Sequence, residues 1–131
     1  MRFPAPCPEL PVAELAPALA HYRDRLGFTV DWADEGIGLA GLSRGDARLF
    51  ITSAGYRAML GNKAPIVLWI NLDNRAEVDA LHAEWSEAGA TLLGPPTAQP
   101  WRLYEYFARD PDGNLLRIFY DFGWKERSGE D

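Results

Sequence analysis

The chain repeats its own plan. SRGDARLFIT at 43–52 and RDPDGNLLRIFY at 109–120 each place a turn-forming cluster before an alternating apolar run, and each run closes a segment of similar order. The two segments imply an internal duplication of about sixty residues, which restricts the fold to a pair of small modules, each with its own sheet and helix.

The first half begins with ELAPALAHYRDRL at 14–26, where Leu15, Leu19, Tyr22 and Leu26 fall on one helical face and Gly27 supplies the stop. Pro17 is early enough in that helix to be tolerated. Three strands are predicted next, FTVDWA at 28–33, IGLAGL at 37–42 and ARLFIT at 47–52, separated by the turn sequences DEG and SRGD. The polar stretch 53–65 reads as a connection. In the second half IVLWINL at 66–72 alternates, with Ile66, Leu68, Ile70 and Leu72 directed to a core and Val67, Trp69 and Asn71 away from it. Asn74 with Glu77 three residues on predicts a capped helix whose buried stripe is Val78, Leu81, Trp85 and Ala88, ended by Gly89. ATLLG, LYEYFAR and LLRIFY supply three further strands. Module one is expected at about 5–52, a linker at 53–65, module two at 66–122 and a polar, fraying tail at 123–131, all within one domain.

Composition bounds the function. The 131 residues, 47% hydrophobic and 24% charged, suit one globular domain. Thirteen Lys and Arg against nineteen Asp and Glu leave a net charge of −6, which argues against nucleic acid as a partner because phosphate neutralisation needs clustered cations. That acidity serves solubility in general, and it also suits a cationic or polar small molecule. No apolar run is long enough to span a membrane, so no membrane partner is expected. The single cysteine, Cys7, has no internal disulfide partner, and MRFPAPCPEL lacks the features of a secretion signal, so a cytoplasmic location is expected. Cys7 is expected to be a small buried hydrophobe, His21 and His82 to be helix-surface or packing residues, and no phosphate-binding glycine motif is present.

Two stretches carry a family resemblance. ELPVAELAPALAHYRDRLGF at 9–28 and YEYFARDPDGNLLRIFY at 104–120, taken with the repeat, resemble the opening and closing segments of the vicinal oxygen chelate superfamily, which includes glyoxalase I, extradiol dioxygenases, and fosfomycin and bleomycin resistance proteins. The resemblance implies an α+β fold of two tandem βαβββ modules, curved mixed sheets around a cup, and a homodimer.

It also implies where a divalent metal would be held in the family's enzymes, on the first and last strand of each module. In this sequence those positions fall at about Cys7, Phe50, Val67 and Arg117. Phe50 and Val67 have no donor atoms, Arg117 is a permanent cation, and a lone thiol makes no site. No metal and no cofactor is therefore expected, and no catalytic residue is assigned. A register one or two residues different would bring Glu9 or Thr52 into play, which leaves a lyase, isomerase or dioxygenase with displaced ligands as an alternative. A non-catalytic sensor or biosynthetic accessory protein is another.

Among these families the bleomycin resistance proteins resemble the chain most, with an arginine at the place of Arg117 and a proline near that of Pro11. The expectation leans against an enzyme and toward antibiotic resistance by sequestration, with a small molecule, for example a cationic glycopeptide antibiotic, as partner. Strand parity places Arg48, Phe50 and Thr52, then Val67, Trp69 and Asn71, then Leu115, Arg117 and Phe119 on cup-facing sides. Trp32, Phe50, Trp69 and Trp101 are expected to stack on a planar ligand, with Asn71, Glu105 and Arg117 orienting it. The same aromatics would equally serve a core or a dimer interface, and Arg117 would serve structure alone if it pairs with a carboxylate.

Overall fold

A computed structural model describes residues 1, 5, 7–58 and 65–123. In chain order these form β1 (Glu9–Pro11), α1 (Leu15–Asp24), β2 (Thr29–Asp34), β3 (Leu39–Arg44), β4 (Ala47–Thr52), α2 (Ala54–Ala58), β5 (Val67–Asn71), α3 (Arg75–Glu87), β6 (Thr91–Ala98), β7 (Leu103–Arg109) and β8 (Leu115–Asp121). The sheets are ordered β1-β4-β3-β2 and β5-β8-β7-β6, so each half has the same strand order. In both, the first strand of the module runs parallel to the last and the remaining pairs are antiparallel. This is the α+β arrangement of two βαβββ modules. Two compact units result, Met1–Ile66 with Pro111–Asn114, and Val67–Asp110 with Leu115–Asp131.

In the first unit α1 buries Leu15, Ala18, Leu19 and Tyr22, the face that its apolar spacing predicts. Leu49 and Ile51 of β4 and Ala40 and Leu42 of β3 are buried with them, while Gly27 takes the left-handed conformation (φ 75°) that lets the chain leave the helix. The stretch read as a connection at 53–65 instead contains α2. Its Arg57 is buried and donates from Nη1 to the Val12 carbonyl at 2.9 Å and to the Thr52 carbonyl, so two backbone acceptors at the ends of β1 and β4 anchor the short helix. Nothing in the polar composition of the segment announced that contact. The DPDGN turn contributes to the same unit, with Asn114, fully buried, donating from Nδ2 to the Pro11 carbonyl at 2.6 Å and accepting from the Ile66 amide at 2.9 Å. Asp112 accepts from the Ala13 amide at 2.7 Å.

In the second unit Asn74 caps α3, its Oδ1 accepting from the Glu77 amide at 2.8 Å. Glu77 returns a bond to the Asp73 amide at 2.9 Å, one residue earlier than a reciprocal capping box requires. Val78 and Trp85 are buried, Leu81 is half-buried, and Ala88 is exposed because the helix ends at Glu87 and Ala88 is its C-cap. Trp85 packs edge-on against Tyr106 of β7, with Ile118 and Leu116 of β8 buried on the same side of the sheet. Each such side chain removed from water contributes about 1.5–3 kcal/mol. β6 runs past the predicted ATLLG through Gly94, Pro95 and Pro96 to Ala98. The prolines are tolerated because β6 is an edge strand, and its register with β7 shifts between Leu93 and Thr97, where they offer no amide to the ladder. Residues 124–131, expected to fray, lie outside the described residues.

Candidate functional site

Each module carries a row of residues on the sheet face opposite its helix, set by register. In the first, Trp32 pairs with Gly41, Gly41 with Phe50, and Phe50 with Glu9. In the second, Trp69 pairs with Arg117, Arg117 with Phe107, and Phe107 with Leu93. Since the strand orders match, Phe50 and Arg117 occupy equivalent places, and so do Glu9 and Trp69.

The first row is aromatic and shallow. Trp32 and Phe50 lie with ring centroids 6.0 Å apart. The indole lies over Gly41, where a Cβ would stand 2.5 Å from Trp32 Nε1, so glycine makes room for the ring. Cys7, Asp31, Arg48 and Phe50 line a small cleft beside it. Cys7 is exposed, against the expectation of a buried thiol, because it lies two residues before β1 and no sheet neighbour covers it. Thr52, expected on the cup side, is fully buried beside α2.

The second row is built around a cation. Arg117 donates from Nε to Glu105 Oε1 at 2.5 Å and from Nη2 to Oε2 at 3.0 Å. Trp101, on the loop between β6 and β7, donates from Nε1 to Oε2 of the same carboxylate at 2.8 Å. The Glu105 side chain is 1% exposed and that of Arg117 17%, so the carboxylate lies beneath the surface and the guanidinium is part of it. Arg117 Cζ stands 4.1 Å from the Trp69 ring centroid and 5.1 Å from that of Phe107, so rings of the two neighbouring strands flank the guanidinium. Trp69 also meets Phe119 edge-on at 5.4 Å and remains 53% exposed. Val67, Asn71 and Trp101 are exposed as well.

Of the residues singled out in the sequence, the second unit brings together Trp69, Trp101, Glu105 and Arg117, and Trp32 and Phe50 meet in the first unit. Asn71 lies one step along the face, in the row of Phe119 and Glu105. Phe107 was missed, although strand parity with Glu105 would have found it. His21 and His82 lie on α1 and α3, His82 edge-on to Tyr106 at 4.8 Å.

The family model for the Glyoxalase/Bleomycin resistance protein/Dioxygenase superfamily matches residues 7–118. The chain belongs to this superfamily. Among solved structures, the bleomycin-binding protein of Streptomyces verticillus, complexed with copper(II)-bleomycin, is similar at 28% identity and TM-score 0.69, over 90% of this chain and 96% of that one. A lactoylglutathione lyase from Agrobacterium tumefaciens is similar at 21% identity and TM-score 0.76, over 92% and 96% of the two chains. A glyoxalase/bleomycin resistance protein/dioxygenase from Nocardioides is similar at 19% identity and TM-score 0.75, over 92% and 85%. At those identities the last two likenesses show the fold alone. A comparison with curated proteins finds no match.

For a superfamily member, the chemistry of the rows tests whether a divalent metal fits. Phe50 and Val67 present only carbon, and the Arg117 guanidinium would repel a cation from the place it occupies. Glu9 pairs with Phe50 and is the one carboxylate in these two rows. Among the described residues no group of three or more His, Cys, Asp or Glu is placed to hold a metal. The residues present do not fit a metal at these positions. Likewise, among the described residues no helix is long and apolar enough to cross a membrane.

Proposed function

We propose that this chain is a small-molecule binding protein of the bleomycin resistance type, which sequesters a planar, polar antibiotic in a cup formed between two copies of the chain and catalyses no reaction on it. The observation that carries this reading is the Arg117 guanidinium, held by Glu105 and flanked by Trp69 and Phe107 at a position equivalent to Phe50. A catalytic metal would need donors there, whereas an aromatic floor with one tethered cation suits stacking and hydrogen bonding. The likeness to a bleomycin-binding protein supports the choice of ligand class. Trp69, Trp101, Trp32 and Phe50 supply the stacking surfaces, with Asn71 and Arg117 at their margins; Glu105 acts through Arg117.

Titration of purified protein with metal-free bleomycin, followed by tryptophan fluorescence, tests this. Saturable quenching at one drug per subunit is expected; a flat trace at high drug concentration removes the antibiotic from consideration. Elemental analysis belongs beside it, since a stoichiometric divalent ion would contradict sequestration and favour a metal-dependent lyase or dioxygenase.

A further inference from the structure

Resting on the stacking site just proposed, we infer that Glu105 sets the charge of the ligand, admitting planar aromatics that carry a neutral acceptor and rejecting aromatic carboxylates. A tethered arginine on an aromatic face would ordinarily read as an anion site, because a guanidinium matches a carboxylate in shape and charge. Here the matching carboxylate is already in place. Glu105 takes Nε and one edge of Nη2, in a pair whose acidic member is 1% exposed.

Two consequences follow from that geometry. Glu105 leaves Arg117 with donors still to offer, since Nη1 has no hydrogen-bond partner among the described residues. Those N–H groups suit a carbonyl, amide or ring nitrogen, which needs a donor but no net charge. An incoming carboxylate, by contrast, would meet a cation whose charge is already balanced. It would lie one guanidinium width from the Glu105 oxygens, on the solvent side of the pair, where like charges repel and salt screens them in part. Trp101 holds the same carboxylate through Nε1 at 2.8 Å, so Glu105 cannot swing aside without losing three hydrogen bonds. The chain's net charge of −6 adds to the bias against anions.

The discriminating probes are quinoxaline-2-carboxamide and quinoxaline-2-carboxylate, which share a ring and differ in charge. Calorimetric titration of the intact protein at neutral pH is expected to show the amide binding at least about tenfold more tightly than the acid. Glu105→Gln keeps the side-chain shape, gives up at least one of the three accepted bonds because its amide nitrogen only donates, and removes the balancing charge. It should therefore move that ratio at least about tenfold toward the acid. Salt reads the same repulsion without substitution, and on the wild-type protein the preference should shrink as ionic strength rises. Equal or tighter binding of the acid by the wild-type protein would overturn the charge rule while leaving the site intact. A ratio unmoved both by Glu105→Gln and by salt would remove Glu105 from that role. Binding of neither probe would overturn the planar-ligand reading and this inference with it.

Discussion

Arg117 on β8 and Glu105 on β7 form a two-bond ion pair on a diagonal of the sheet, since Arg117 faces Phe107 across the ladder and Glu105 faces Phe119. The pair links two strands and also holds the loop that carries Trp101. Its members depend on each other unequally, because the carboxylate is buried and the cation partly exposed.

Arg117→Met should therefore destabilise the protein by about 3–5 kcal/mol, leaving a buried carboxylate without its partner. Adding Glu105→Gln in the same chain should restore much of that loss. Urea denaturation of the two single variants and the double variant measures the coupling. A loss within about 1 kcal/mol for Arg117→Met would mean that water reaches Glu105 and replaces the guanidinium.

Trp69→Ala should behave in the opposite way. The indole is 53% exposed, so its removal should cost little stability, yet it should weaken drug binding by roughly tenfold or more if the ring is the stacking floor. Parallel thermal melts and calorimetric drug titrations separate the two effects. Unchanged affinity would move the stacking surface to the Trp32 side.

Gly41→Ala sets a methyl group where Trp32 lies. The added Cβ would stand 2.5 Å from Trp32 Nε1, and the exposed indole is free to swing away. Stability should stay within about 1 kcal/mol, the gain from replacing a strand glycine offsetting the lost ring contact. The emission attributable to Trp32, taken as the difference from a Trp32→Phe protein, should move to longer wavelength. An unmoved spectrum would show that the sheet, rather than the ring, gives way.

Tyr104 offers a pH signature. Its hydroxyl donates to Asp79 Oδ1 at 2.5 Å, and that bond, followed by burial and the Asp79 charge, holds the phenol above its usual pKa, with Arg75 opposing. Because the folded value is raised, the bond's contribution is fully present below the unfolded tyrosine pKa and is lost as pH rises through the folded value. Ultraviolet titration of the protein beside its Tyr104→Phe variant should show Tyr104 ionising above the usual tyrosine range, and Asp79→Asn should bring that step back toward it. A titration unchanged by that substitution would mean the bond is not kept in solution.

Much of the architecture was legible from local pattern. The α1 face, the Asn74 cap and the alternation of IVLWINL all depend on neighbours within a few residues, where periodicity and turn chemistry act directly, and the repeat is visible because the same local pattern recurs. Helix α2, the exposure of Cys7 and the extension of β6 through its prolines were not legible. The first depends on a buried arginine that reaches the distant Val12 carbonyl as well as that of nearby Thr52, the second on where pairing begins, and the third on β6 being an edge strand.

The candidate site divides along the same line. The sequence by itself determined that Arg117 corresponds to Phe50, through the repeat, and that Trp69 and Asn71 share a face, through strand parity; that Arg117 stands at a metal-ligand position is what the resemblance to the superfamily implies. That Arg117 is bound to Glu105, that Trp101 joins them and that Phe107 and Trp69 flank the guanidinium was decided only in the tertiary structure. Diagonal and cross-strand neighbours are set by register and hairpin geometry, and two strands read separately do not say which carboxylate a cation will meet.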